Sequence, residues 1–224
     1  MKVSKNKELL EELTSVMSGK TLDAIFPPLL FVLLNNLLSL NYAIIGALGV
    51  ATILGIYRIS KKQKIFYAIT GWFGVAMAGG FAFLANNATN FFLPGIISNV
   101  VFITAIFISI VIGRPMAALA SHLTRGWSLQ WFWRDDIKPA YREVTWMWLL
   151  LILMRTLLQI YLYTQESVVE LFWVNILLGL PFTIFILLFS YIYGLWRLKQ
   201  LKGPGIEEYM TQKQPPYKGQ TRGF

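Results

Sequence analysis

Hydrophobic residues run through this chain in long uncharged blocks, parted by short segments that are either basic or rich in amides. A helix needs about 20 mostly apolar residues to cross a hydrocarbon core about 30 Å thick, because each residue rises about 1.5 Å. Three blocks of that length, 66–85, 91–112 and 171–196, hold no charge, and a fourth, 144–163, holds one, Arg155. The block 24–57 is 34 residues without a charge, and Asn35, Asn36, Ser39 and Asn41 interrupt it. That is too long for one crossing, so it reads as two short helices in a hairpin. The pattern predicts an all-α polytopic membrane protein with spans near 24–39, 42–57, 66–85, 91–112, 144–163 and 171–196.

Charge orients these spans. Of the 20 Lys and Arg residues, all but Arg155 fall in the segments 1–23, 58–64, 113–143 and 197–224. The turns around Asn41 and over 86–90 carry no charge, and 164–170 carries only Glu166 and Glu170. Lys and Arg concentrate on the cytoplasmic side of spans, and a six-span count puts every basic segment on one side with both termini cytoplasmic. A single long first span would put Arg58 to Lys64 outside. Composition agrees, at 56% hydrophobic, 15% aromatic and 14% charged residues, against roughly a quarter charged in soluble domains. The net charge of +9 is then a matter of topology and of anionic lipid headgroups, and needs no nucleic acid. No signal peptide is evident.

Zero cysteines and a single histidine, His122, exclude disulfides, thiol catalysis and thiolate or multi-histidine metal sites. No cofactor is expected. Segment 1–23 reads as a cytoplasmic amphipathic stretch with Leu9, Leu10, Leu13 and Met17 on one face, and 197–224 as a flexible basic tail rich in Gly, Pro and Gln. Ala43, Ala47, Ala51 and Gly55, with Gly74, Ala78 and Ala82, form stripes of small residues that let helix backbones approach in lipid.

Arg155 is the strongest candidate for chemistry, because an ionisable side chain at membrane depth is costly and faces a partner, a cavity or the bundle interior. Thr145, Trp148, Ile152, Arg155, Gln159 and Tyr163 share its helical face. Arg155, Gln159, Asn99 and Asn175 are therefore the candidate polar or anion-binding group, with a structural Arg tied to carbonyls or to those amides as the alternative. The inner segment 113–143 interleaves Trp127, Trp131, Phe132 and Trp133 with Arg125, Arg134, Lys138 and Arg142. Rings prefer the headgroup level and cations the inner leaflet, so this segment reads as an interfacial amphipathic helix between spans four and five, with Trp127, Trp131, Trp133 and Arg134 at the interface. Asp135 and Asp136 have no third ligand near them in sequence and are expected to pair with Arg134 or Lys138.

Several local patterns stand in order along the chain: Phe91-Phe92-Leu93-Pro94-Gly95-Ile96 with Asn99, Arg114-Pro115, Trp133-Arg134-Asp135, Ala140-Tyr141-Arg142 with Thr145 and Trp148, Arg155 with Gln159 and Leu162-Tyr163, and Gly179-Leu180-Pro181. Together they resemble the bacterial multi-pass membrane family catalogued as domain-of-unknown-function family 3159. More loosely, the short Pro-containing first span and the basic loop after span two look like the intracellular septation protein A group of inner-membrane proteins. The first resemblance implies the topology and the prominence of Arg155 without an activity, and the second implies a setting in envelope synthesis. The expected function is a non-enzymatic bacterial inner-membrane protein that supports or organises envelope machinery, with the bilayer, anionic headgroups and other membrane proteins or a second copy as partners. The alternative is a small transporter or lipid-handling protein with an anion-binding site at Arg155.

Overall fold

The computed structural model describes residues 20–224, and among them every regular element is helical. The amphipathic stretch expected at Glu8–Met17 lies outside the described residues. The helices are α1 (Lys20–Leu37), α2 (Leu40–Ser60), α3 (Ile65–Ala85), α4 (Leu93–Val111), α5 (Met116–Arg125), α6 (Leu129–Phe132), α7 (Lys138–Thr164), α8 (Val168–Leu177), α9 (Leu180–Leu201) and α10 (Ile206–Met210), with a 3-10 turn at Ala88–Phe92.

Five helical segments are long and apolar enough to cross a membrane: Leu40–Ser60, Ile65–Ala85, Ala88–Val111, Lys138–Thr164 and Val168–Leu201. The first expected span corresponds to a shorter apolar run, Ile25–Leu37. Their outward residues are apolar too: Leu84 is 85% exposed and Ile192 68%. Such contiguous apolar surface is costly in water and favourable against lipid tails. The chain is a multi-pass membrane protein.

The uncharged 24–57 block breaks at Leu38 and Ser39, with Ser39 extended at φ −160° before α2. Pro27 and Pro28 lie inside α1. One detail differs from the sequence expectation. The last uncharged block is interrupted between α8 and α9, where Pro181 occupies the first turn of α9. A proline ring clashes with the carbonyl four residues earlier, here Leu177, and α8 ends at that residue.

The chain divides into two compact units. One comprises the chain up to Gly95 with Tyr161–Ile176. Its core gathers Phe31, Ala43, Ala47, Ala78, Ala82, Phe91, Leu171 and Phe172, and Phe31 stacks on Phe91 with ring centroids 4.0 Å apart. The small-residue stripe of α2 is buried at Ala43, Ala47 and Ala51, as are Ala78, Gly79 and Ala82 of α3. A Cβ on Gly79 would stand 3.1 Å from Ile44, so the close approach of α2 and α3 rests on that missing atom. At one end of the unit, Asn87 Nδ2 donates to Glu166 at 2.8 Å and Tyr163 Oη donates to Asn90 at 2.7 Å. The two basic-free turns, 86–90 and 164–170, are thereby tied together.

The other unit comprises Ile96–Ile160 with Leu177–Phe224. Its core holds Ala117, Ala118, Trp131, Phe132, Tyr141, Val144, Leu198 and Ile206. Thr145 fastens α5 to α7, accepting from the Ala117 amide at 3.2 Å and donating to the Tyr141 carbonyl at 2.7 Å. Trp148 Nε1 donates to Ser190 Oγ at 2.8 Å. Glu143 receives Arg197 Nε and Nη2, each at 2.8 Å, and the Tyr193 hydroxyl, also at 2.8 Å. The basic segments 113–143 and 197–224 thus meet where the start of α7 faces the last turns of α9.

Candidate functional site

α7 is built to carry one cation through an apolar setting. Its buried residues Val144, Thr145, Leu149, Thr156 and Gln159 recur at helical spacing, and Arg155 stands one turn before Gln159. Gln159 is only 1% exposed, and its Oε1 accepts from Asn99 Nδ2 of α4 at 2.9 Å. Thr156, also 1% exposed, turns its hydroxyl back onto the Ile152 carbonyl at 2.8 Å. These amides and hydroxyls are satisfied as membrane-embedded polar groups must be.

Arg155 differs from them. Its Nε is buried and has no hydrogen-bond partner among the described residues. The ion pairs among the described residues join Arg134 to Asp136, Arg197 to Glu143 and Lys213 to Glu208, and none includes Arg155. A buried donor left unmade costs about 1–3 kcal/mol, and more when it is charged. Arg155 is partly buried, and its guanidinium is a planar fork matched to carboxylate or phosphate oxygens. Of the four candidate residues, the structure brings Asn99 and Gln159 into direct contact and sets Arg155 one turn from them. Asn175 Nδ2 donates within its own helix, to the Leu171 carbonyl at 2.8 Å.

Residues 18–199 match the family described as Protein of unknown function (DUF3159). The chain belongs to that family. No curated protein and no solved structure matches it. The region that defines this DUF3159 member contains all the candidate residues, and the segment after α9 lies beyond it.

The aromatic and basic inner segment of the DUF3159 chain is built from two helices and turns instead of one continuous amphipathic helix. Gly126, at φ +69°, closes α5 in a left-handed conformation that suits glycine, and its amide donates to the His122 carbonyl. His122 Nδ1 in turn contacts the Trp127 carbonyl. Trp131 is fully buried, and its Nε1 donates to the Pro204 carbonyl at 2.9 Å. Trp127 and Trp133 are partly buried against the same core, and the Arg114 guanidinium lies 4.4 Å from the Trp133 ring centre. Arg134 makes a two-pronged pair with Asp136, at 2.8 and 2.7 Å, which holds its guanidinium above its usual pKa. Asp135 and Asp136 form no acidic cluster, and among the described residues no group of three or more His, Asp or Glu could hold a metal ion.

Sequence reasoning missed two features. The first is the Glu143–Arg197–Tyr193 cluster, whose signal was available: an acid near the start of one span and a cation near the end of another share one expected membrane depth. The second is a set of contacts made by the segment after α9, where Phe224 stacks on Tyr141 at 4.2 Å and 5°. Gln220, 4% exposed, accepts from the Ile206 amide at 2.9 Å and donates to the Arg222 carbonyl.

Proposed function

We propose that this DUF3159 member is a non-enzymatic bacterial inner-membrane protein, six-spanning with both termini cytoplasmic, that holds an anionic group at Arg155 within the bilayer. The observation that carries the reading is the Arg155 guanidinium on a membrane-length helix, whose buried Nε has no hydrogen-bond partner among the described residues. A charge at that depth costs several kcal/mol, roughly 2.5–3.5 by insertion scales, unless something compensates it. A carboxylate or phosphate would do so, with the Asn99–Gln159 pair one turn away as a neutral polar wall.

Two roles are expected from the sequence: support of envelope machinery through lateral contacts, and handling of an anionic lipid or solute. The orphan guanidinium favours the second. The topology draws support from pairings within each unit, since the two basic-free turns meet through Asn87 and Glu166 while two basic segments meet through Glu143 and Arg197. Positive-inside asymmetry then assigns the latter to the cytoplasmic side.

Reconstitution tests the reading. Proteoliposomes assayed for anion flux and for phospholipid transfer should show activity in the wild type that falls roughly tenfold or more in Arg155→Gln, the loss expected for a charge-assisted pair of 1.5–3 kcal/mol. Equal background in both proteins would remove the proposal.

A further inference from the structure

A second cationic feature lies where α9 ends. A groove of about 460 Å³ opens there between the last turn of α9 and the segment after α10, lined by Lys199, Lys202, Lys218, Tyr217, Pro215 and Pro216. Its size falls within the roughly 300–1,000 Å³ typical of small-molecule sites. No carboxylate lines it. Glu208 is engaged by Lys213 and Glu143 by Arg197, Glu207 does not line the groove, and none of the three groove lysines has an ion-pair partner among the described residues.

The wall is preorganised. Glu208 accepts from Lys213 Nζ at 2.8 Å and from the amides of Lys218, Gly219 and Gly205 at 2.9, 3.0 and 3.1 Å. This carboxylate therefore fixes the strand of chain that carries Lys218, and Gln220 anchors the next turn to Ile206. Three lysines thus line one concavity, and none of them has an ion-pair partner among the described residues. The membrane-length segment ends at Leu201, so Lys199 and Lys202 straddle the level where headgroup phosphates lie.

We infer that this groove is a binding site for a phosphate-bearing anion, drawn from an acidic phospholipid headgroup or from a soluble phosphate compound, and that the bound anion clamps the 203–224 segment to the end of α9. The chemistry follows from charge and shape. Three compact ammonium groups suit a tetrahedral phosphate, whose oxygens point in several directions, better than a single planar carboxylate. The site's two walls are the end of α9 and the 215–219 stretch, which the Phe224 ring on Tyr141 and the Gly223 amide on Tyr191 already dock, so an anion bridging Lys199 and Lys202 to Lys218 binds only the docked arrangement and adds to those contacts. This inference is independent of the Arg155 reading.

Hydrogen exchange on the full chain in nanodiscs tests it. The probes are inorganic pyrophosphate added to neutral phosphatidylcholine discs, and discs containing phosphatidylglycerol without added phosphate. A ligand at about 100 times its Kd slows exchange through the opening it opposes by about a hundredfold, and the readout is the amides of Ile206, Lys218 and Gly219. Protection by pyrophosphate identifies a soluble source, and protection by phosphatidylglycerol alone a headgroup. Either supports the proposal if it is lost in Lys199→Gln/Lys202→Gln/Lys218→Gln, retained in the corresponding triple Arg variant, and retained in Lys61→Gln/Lys62→Gln/Lys64→Gln. Absence of protection by both probes overturns it, as does equal loss in the two glutamine triples, which would indicate diffuse surface charge only.

Discussion

Arg155 and Gly194 show how single positions set what the chain can do. Gly194 sits on α9 where a Cβ would come within 2.2 Å of the Phe224 ring, and that ring is stacked on Tyr141. Overpacking of this kind costs about 1–3 kcal/mol. Gly194→Ala should therefore destabilise the wild type by that amount in denaturant unfolding of the detergent-solubilised protein, yet have little further effect in a Phe224→Ala background. Full additivity of the two changes would show that they do not meet. Glu208 is a second such position. The Lys213 ammonium, followed by the amides of Lys218, Gly205 and Gly219, pulls its pKa from 4.5 down to about 2. A depressed carboxylate contributes stability that is present above its unfolded pKa and lost as pH falls through the folded one. The 203–224 segment should accordingly loosen between pH 4.5 and about 2, seen as faster exchange at Lys218 and Gly219, and Glu208→Gln should show that loosening already at neutral pH. Unchanged exchange in the variant would contradict this role.

Among the helices, polar contacts in lipid are few and individually modest. The Asn99–Gln159 bond joins α4 to α7, and an interhelical hydrogen bond of this type is worth about 0.6 kcal/mol on average and up to about 1.7. Gln159→Leu should cost in that range, whereas Glu143→Ala should cost more, because it strands the Arg197 guanidinium and the Tyr193 hydroxyl together. Thermal unfolding of both variants in the same detergent compares them, and the reverse order would mean that the α7–α9 pair is screened by water. The elements themselves were largely legible in the sequence, since amides at 35, 36 and 41 mark the break after α1 and uncharged runs mark the long helices. The break at Gly179 was hidden because no polar residue accompanies it and the proline effect acts locally on Leu177. The fate of Trp131 was hidden for a different reason. Tryptophan beside basic residues is the pattern of an interface, but here its indole is satisfied by Pro204, 73 residues away. Contacts that distant leave no periodicity to read, and the same holds for the docking of Phe224 on Tyr141. The candidate site was legible in Arg155 and its face, and the Asn99–Gln159 contact followed from polar residues at membrane depth seeking each other.

At the scale of the molecule, the sidedness of each segment is directly testable. The chain contains no cysteine, so single cysteines report sidedness directly. Substitutions at the exposed positions Lys62, Ser128 and Gln212 should react with an impermeant maleimide only once the cytoplasmic face is opened, and those at Asn41 and Gln165 should react from outside in intact cells. Reaction of the 62 and 128 positions from opposite sides would break the six-span assignment. Nineteen of the twenty cations fall in the four basic segments, and Arg155 stands apart as the one whose buried nitrogen has no hydrogen-bond partner among the described residues. Native mass spectrometry of the protein released from bacterial-lipid nanodiscs tests that claim most directly. The account predicts an anionic adduct retained by the wild type and by Lys199→Gln/Lys202→Gln/Lys218→Gln and lost in Arg155→Gln, while the same adduct at equal occupancy in wild type and Arg155→Gln would contradict it.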